Sequence, residues 1–165
     1  MIKDIRIDDR LIHGQIALTW PKALEVSRIV VVNDKAASDT TQQMALKMAV
    51  PSGIKVLIRS VEGAIEFFKN PKVKKVDLMV IVGNVQDAAK LYTNIDNEMV
   101  KRVNLANVGR FDGVDDSEKI QLIDSNIKLN EQEQRALTEL VSNPNLKIVH
   151  QIIPDNKEQS IRSFL

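Results

Sequence analysis

The sequence predicts an α/β fold: an open, doubly wound, mostly parallel sheet with helices on both faces. Three observations carry this reading. Short apolar runs alternate with amphipathic stretches along the chain, the pattern of strands linked by crossover helices. The runs Ile29-Val30-Val31-Val32 and Leu78-Met79-Val80-Ile81-Val82 are continuous and mostly β-branched, as central strands buried on both faces require. The length of 165 residues and the hydrophobic fraction of 44% suit one core, so one domain over 1–165 is expected.

Taken in order, the expected strands are Ile2–Ile7, Arg28–Val32, Ile54–Ile58, Val76–Val82, Val100–Leu105 and Leu146–Ile153. A helical pattern follows His13, but Pro21 removes a backbone donor and clashes with the preceding turn. A kink or break is therefore expected near Trp20, with a second short helical piece starting at Pro21. Met44, Ala45, Met48 and Ala49 form the next helical stripe, with Ser38 or Asp39 as its cap. Ser60 caps the helix of Val61, Ile65 and Phe68, and a further helix carries Val85, Ala88, Ala89 and Tyr92. Residues 107–117 are rich in Gly and Asp and read as a loop, and 119–129 reads as a short edge strand or hairpin. Leu137, Leu140 and Val141 mark a helix before the last strand, and Asp155 is placed to cap a final helix running to Leu165.

Composition excludes several classes of function. A net charge of +1 leaves no basic surplus for a nucleic-acid footprint. No apolar run approaches a bilayer span, and the N-terminus lacks a signal-peptide core. A cytoplasmic protein is the expectation. With no Cys, thiolate chemistry is ruled out, and with only His13 and His150 as imidazoles a site with several His ligands is not expected. No metal or cofactor is expected.

The segment richest in chemistry is Arg6-Ile7-Asp8-Asp9-Arg10-Leu11-Ile12-His13-Gly14-Gln15. It leaves the first strand and enters a helix, at the carboxyl edge where open α/β sheets bind ligands. His13 would sit at a helix N-terminus, where free N–H groups favour anions. A neutral imidazole, with an ordinary pKa of about 6.5, is a competent nucleophile toward phosphorus. A nearby Arg and the helix terminus both disfavour the imidazolium and then stabilise a bound phosphoryl group. Arg10 has the planar fork to clamp two phosphate oxygens. Asp8 or Asp9 can accept from a ring N–H and fix the tautomer. Gly14 leaves room for a second molecule. Against this, a lone His in a loop is more often a surface or packing residue, and Asp8, Asp9 and Arg10 equally suit a charged turn.

The ten-residue motif resembles, almost letter for letter, the active-site segment of IIB components of the mannose–fructose–sorbose class of bacterial phosphotransferase systems. Weaker similarity follows in order at 27–34 with Ala37, Asp39 and Thr40, at Asn107-Val108-Gly109, and at Ile152-Ile153-Pro154-Asp155, so it spans essentially the whole chain. The resemblance implies that His13 is phosphorylated on Nδ1 by a His of the IIA component. It then implies transfer to a sugar bound by the membrane IIC and IID components. Arg10, Asp8 and Asp9 match the family's Arg and Asp pair. Gln15, Asp34, Asn107 and Gly109 are carried over as phosphate-binding or loop-support positions. IIA is expected as a separate chain, and IIB as a peripheral companion of the membrane transporter. The chain departs from the family pattern at Asn33, at Pro21 and at Arg110-Phe111-Asp112. Neither the sugar nor an oligomeric state is readable.

Other candidates have plainer readings. His150 lies in an apolar strand and reads as structural. Asn84 with Asp87 reads as a helix cap rather than a site wall. Asp34 is either a turn former or a site residue, and the resemblance favours the site. The basic cluster between Lys69 and Lys75 reads as a solvated turn. Leu11, Ile12 and Phe111 are candidates for an apolar docking rim, with core as the other reading for Leu11 and Ile12. The competing class is a receiver-like or noncatalytic regulatory domain. It is disfavoured because Ile58-Arg59-Ser60 offers no phospho-accepting Asp and Leu105-Ala106-Asn107 offers no Lys. A dinucleotide enzyme lacks its Gly-rich loop.

Overall fold

A computed structural model describes residues 1–123 and 126–165. The elements run β1 (Ile2–Asp8), α1 (Gly14–Leu24), β2 (Arg28–Val32), α2 (Asp34–Ala37), α3 (Thr40–Met48), β3 (Lys55–Arg59) and α4 (Val61–Phe68). They continue with β4 (Leu78–Val82), α5 (Val85–Thr93), β5 (Val103–Asn107), β6 (Ile120–Ile123), β7 (Ile127–Leu129), α6 (Glu131–Val141), β8 (Ile148–His150) and β9 (Gln159–Ser160). The main sheet has the order β3-β2-β4-β1-β5-β8-β9. Every pairing in it is parallel except β8 with β9. The doubly wound α/β architecture is the expected one. β6 and β7 form a separate antiparallel hairpin within 119–129; of that expected element, residues 124 and 125 lie outside the described residues.

Each sheet face buries its own apolar layer. Val30, Val32, Val80 and Val82 pack with α4, α5 and α6, while Ile29, Val31, Met79 and Ile81 pack with α1, α2 and α3. Period-two alternation in β2 and β4 produces both layers at once. β1 is central but different. Ile5 and Ile7 join the first layer, whereas Asp4, Arg6 and Asp8 are buried on the other face, beneath α1. The loops after β1, β2, β4 and β5 leave the same carboxyl edge, and the His13 loop is one of them.

Four sequence expectations need correction. The helix does not break at Trp20: α1 runs continuously through Pro21. Pro21 falls near the end, so few turns remain to be disrupted. Trp20 also anchors that end, its indole N–H donating to the Ile152 carbonyl at 3.0 Å. The helix stops at Glu25 in the left-handed region (φ 57°), where Val26 N–H closes back on the Pro21 carbonyl at 2.9 Å. No helix follows Asp155 to the C-terminus. The Gln151 side-chain amide donates to the carbonyls of Pro154 and Asn156, which holds that stretch as a turn. The chain then returns as β9 and one 3₁₀ turn at Ile161–Phe164. Met44 and Met48 do not face the core; they are 60% and 82% exposed, and Leu46 is the buried residue of α3. Finally, two helices stand where one was expected: Asn33 caps α2 and Asp39 caps α3.

Candidate functional site

The turn from β1 to α1 is built from Asp8. Leu11 N–H donates to the Asp8 carbonyl at 2.9 Å, and Arg10 N–H donates to Asp8 Oδ1 at 3.1 Å. These bonds tighten the turn and force Leu11 into the left-handed region, with φ 57°. A branched residue there costs about 1 kcal/mol or more. Burial of the Leu11 and Ile12 side chains in the α1-side core offsets it. Both side chains are only 5% exposed, so their core reading holds and the docking-rim reading does not. Phe111 alone of the three is exposed, at 68%.

His13 is the N-cap residue of α1, with extended backbone, and its carbonyl accepts the first helical bond from Ile16 at 3.0 Å. No side chain caps this helix. The other five α-helices among the described residues carry side-chain caps at Asn33, Asp39, Ser60, Asn84 and Asn130. The His13 side chain is 25% exposed, and its Nε2 lies 3.4 Å from Asp8 Oδ2.

Asp8 is fully buried and heavily supported. Its Oδ2 accepts from Arg6 Nη2 at 3.2 Å and from Asn107 Nδ2 at 3.1 Å. Arg6 is 1% exposed, donates also to the Gln151 carbonyl, and lies 5.5 Å from the Trp20 ring centre. Arg102 flanks the same ring at 5.2 Å and pairs with Asp4 at 2.9 Å. The result is a buried row under α1 in which two ion pairs, Asp4 with Arg102 and Arg6 with Asp8, set their guanidiniums against the Trp20 ring. Burial pushes the Asp4 carboxyl up to about 6, against the lowering influence of Arg102. Burial also lowers the Arg6 guanidinium, while Asp8 and Asp4 hold it up.

Asp9 points elsewhere. It is gripped by Arg110 through backbone N–H and guanidinium, with Nε at 3.1 Å from both carboxylate oxygens and Nη2 in contact with Oδ1. That hydrogen bond, first, and the Asp9 charge raise the Arg110 guanidinium above its ordinary value. Arg110 Nη2 also comes within 3.8 Å of Asp8 Oδ1. Arg10 is exposed, and its side chain has no hydrogen-bond or ion-pair partner among the described residues.

Two clefts flank this turn. One of about 390 Å³ is lined by Arg10, His13, Gly14, Gln15 and Asn107, with Arg6 and Trp20 among the residues of its wall. A Cβ added at Gly14 would meet nothing within 4 Å. The other, of about 320 Å³, takes Asp9, Gly109, Phe111 and Glu133. Glu133 accepts Val85 N–H at 2.8 Å, and burial pushes its carboxyl up to about 7. Gly109 has φ +90°, and a Cβ there would stand 1.9 Å from the Lys128 carbonyl oxygen.

The structure thus gathers Arg10, His13, Gly14, Gln15 and Asn107 at one cleft, with Asp8 buried behind His13 and Asn107. It does not bring Asp34 there: the Asp34 carboxylate accepts Val61 N–H at 2.9 Å, tying α2 to the start of α4. Gly109 and Asp9 shape the neighbouring cleft and the loop. His150 is buried, with Nδ1 donating to the Leu105 carbonyl at 2.7 Å. Asn84 caps α5. Sequence reasoning gave no role to Arg6, Trp20, Gln151 or the Arg110–Asp9 clamp. The signal for the first was present, since charges at 4, 6 and 8 alternate with Ile5 and Ile7 in a strand.

Comparison with known proteins adds an independent line. The family model for the sorbose subfamily IIB component of the phosphotransferase system matches residues 2–165. A probable phosphotransferase enzyme IIB component of Streptococcus pyogenes serotype M6 is 46% identical over 156 residues, covering 94% of this chain and 94% of that protein. The fructose-specific EIIB component of Bacillus subtilis strain 168 is 28% identical over 160 residues, covering 97% of this chain and 93% of that protein. The crystal structure of the IIBSor domain of the Klebsiella pneumoniae sorbose permease superposes with a TM-score of 0.85 at 25% identity. It covers 99% of this chain and 95% of that domain.

Proposed function

The chain belongs to the sorbose-type IIB family of the phosphotransferase system, and from that premise we propose that His13 is its phosphoryl carrier. IIB components are phosphotransferase components that work with IIA and IIC/IID partners. No helix among the described residues is long and apolar enough to cross a membrane. In the proposed relay, IIA donates from a phosphohistidine, and a sugar held by IIC and IID accepts. The protein would then act on the cytoplasmic face, in passing contact with the membrane components.

The observation that carries the reading is the 3.4 Å approach of His13 Nε2 to Asp8 Oδ2. A proton on Nε2 directed at that carboxylate leaves the lone pair on Nδ1, the ring nitrogen with no partner among the described residues. The Nδ1 lone pair attacks phosphorus, the donor's P–N bond breaks, and its electron pair returns to the donor ring. The His13 ring acquires positive character that Asp8 faces. In the second step a sugar hydroxyl attacks phosphorus, the P–Nδ1 bond breaks, and the hydroxyl proton passes to solvent. His13 returns to neutral imidazole.

The surroundings suit each role. Arg6 and Asn107 hold Asp8 in place, so its oxygens are directed before the reaction begins. The uncapped start of α1 offers N–H groups to the phosphoryl oxygens. Arg10 lines the cleft with an unengaged guanidinium able to clamp them. Gly14 keeps the approach open.

The test is labelling of the purified protein by a phosphorylated IIA partner. Wild type should gain a label that is labile in acid and persistent in base, and His13→Ala should gain none. Label persisting in His13→Ala, or found on His150, would overturn the proposal.

A further inference from the structure

We propose that the open edge of β3 and the apolar groove beside it form a docking site for an acidic, extended segment of a protein partner. Among the described residues β3 pairs only with β2, and it is the first strand in the sheet order. Lys55 N–H and the Arg59 carbonyl both turn toward β2, bonding Ser27 and Asn33. Alternation then directs the N–H and carbonyl of Val56 and Ile58 outward. Arg59 Nη1 bonds the Ile58 carbonyl at 2.9 Å, a side chain standing where a neighbouring strand would donate.

Beside this edge lies a groove of about 430 Å³, floored by Leu57, Phe67, Val73 and Val76 and rimmed by Arg28, Lys55 and Lys72. Three nearby cations have counter-charges, Lys3 with Asp77, Lys69 with Glu66 and Lys74 with Asp96, whereas Arg59 bonds only the Ile58 carbonyl. Arg28, Lys55 and Lys72 have no carboxylate within ion-pair distance among the described residues. Arg28 and Lys55 face each other across the β2–β3 register. Arg28, Lys55 and Leu57 share one sheet face, so an extended peptide that carries both its acidic and its apolar residues on one face, with polar residues between them, satisfies all three features. Its backbone completes β3, its apolar side chains enter the groove, and its carboxylates meet the rim.

A lipid surface would answer the charge and the groove but leave the outward backbone groups unpaired. It would also place the amino edge on the membrane and turn the His13 edge away. The use of such a site rests on the relay proposed above. A carrier that must show His13 to donor and acceptor in turn needs any longer-lived attachment elsewhere, and this groove lies at the amino edge. The binding itself is tested without phosphoryl transfer, so its failure and that of the relay are separable.

The experiment titrates the ¹⁵N-labelled full chain with a blocked heptapeptide that has Glu and Leu in turn at its odd positions and Thr at its even positions. A counterpart with Lys in place of Glu serves as the control. Shifts should centre on Val56, Leu57, Ile58 and Phe67, with slowed exchange of the Val56 and Ile58 amides and silence at the His13 loop. Affinity should fall about tenfold or more in Arg28→Glu/Lys55→Glu and, as a second variant away from the sheet, in Lys72→Glu. It should weaken as ionic strength rises toward about 0.5 M. Several results would overturn the site: shifts at the His13 loop, equal binding of the Lys peptide, or unchanged affinity in the variants. Binding of anionic phospholipid vesicles but not the peptide would do the same. So would self-association of the charge-reversed variant without peptide binding by wild type, which would make the cations guards of an open edge.

Discussion

Asp8 Oδ2 lies 3.4 Å from His13 Nε2 and 3.2 Å from Arg6 Nη2, so one buried oxygen links the candidate nucleophile to a buried guanidinium. This makes Asp8 both an orienting and a structural residue. Asp8→Asn should slow transfer through loss of ring orientation. It should also destabilise the fold by about 3–5 kcal/mol, because Arg6 is left as an uncompensated buried charge. Asp9→Asn should leave ring orientation intact, since Asp9 engages Arg110 rather than His13. Phospho-transfer rates with urea unfolding separate the two effects. Equal rates for Asp8→Asn and wild type would remove Asp8 from the chemistry.

Arg10 separates function from stability more cleanly, because its side chain is exposed and unpartnered. Arg10→Lys keeps the charge and loses the planar fork. If Arg10 clamps the phosphoryl group, transfer should slow by about 30-fold to 1000-fold, equivalent to about 2–4 kcal/mol in the transition state. The melting temperature should be nearly unchanged. Equal transfer at equal stability would remove Arg10 from the mechanism.

Much of this site was legible in the sequence because it is local. Asp8, Arg10, His13, Gly14 and Gln15 fall within eight residues, and a strand followed by a helix fixes where such a segment sits. Asn107 was reached only through the family resemblance of Asn107-Val108-Gly109. The sheet was legible for the same reason, since Ile29–Val32 and Leu78–Val82 announce buried strands by themselves. What the sequence did not disclose is pairing across distance. Arg110 reaches Asp9 across 101 positions and Gln151 reaches Arg6 across 145, and no periodicity encodes such contacts. Asp34 was misplaced because turn and site demand the same residue type after a strand. The C-terminal helix failed because Gln151, upstream of the segment, dictates its turn.

Glu133 supplies a pH dependence. Burial raises its carboxyl from the ordinary 4.5 to about 7 in the folded protein. The fold therefore binds more protons than the unfolded chain between those values, and stability must fall as pH rises through that window. The full difference is about 3 kcal/mol. Glu133→Gln keeps an oxygen acceptor for Val85 N–H and removes the titration. Urea midpoints at pH 5 and pH 8 should show wild type losing stability more steeply than Glu133→Gln. Parallel slopes would contradict the assignment.

Gly109 is fixed by geometry rather than chemistry. With φ +90° and the Lys128 carbonyl 1.9 Å from an added Cβ, Gly109→Ala must displace the β6–β7 hairpin from the end of β5. A loss of more than about 2 kcal/mol is expected, with amide exchange accelerating first at Lys128 and Val108, whose N–H groups donate to the Val108 and Asn126 carbonyls. An alanine variant as stable as wild type would show that the hairpin yields without cost.

The most direct test of the relay is the position of the phosphoryl group on the ring. Uniformly ¹⁵N-labelled protein, phosphorylated by IIA and observed by ¹⁵N and ³¹P NMR at neutral pH, distinguishes the two imidazole nitrogens. The geometry predicts a single phosphohistidine at His13 with phosphorus on Nδ1 and the proton on Nε2, facing Asp8. Phosphorus on Nε2, or on any residue other than His13, would contradict the account.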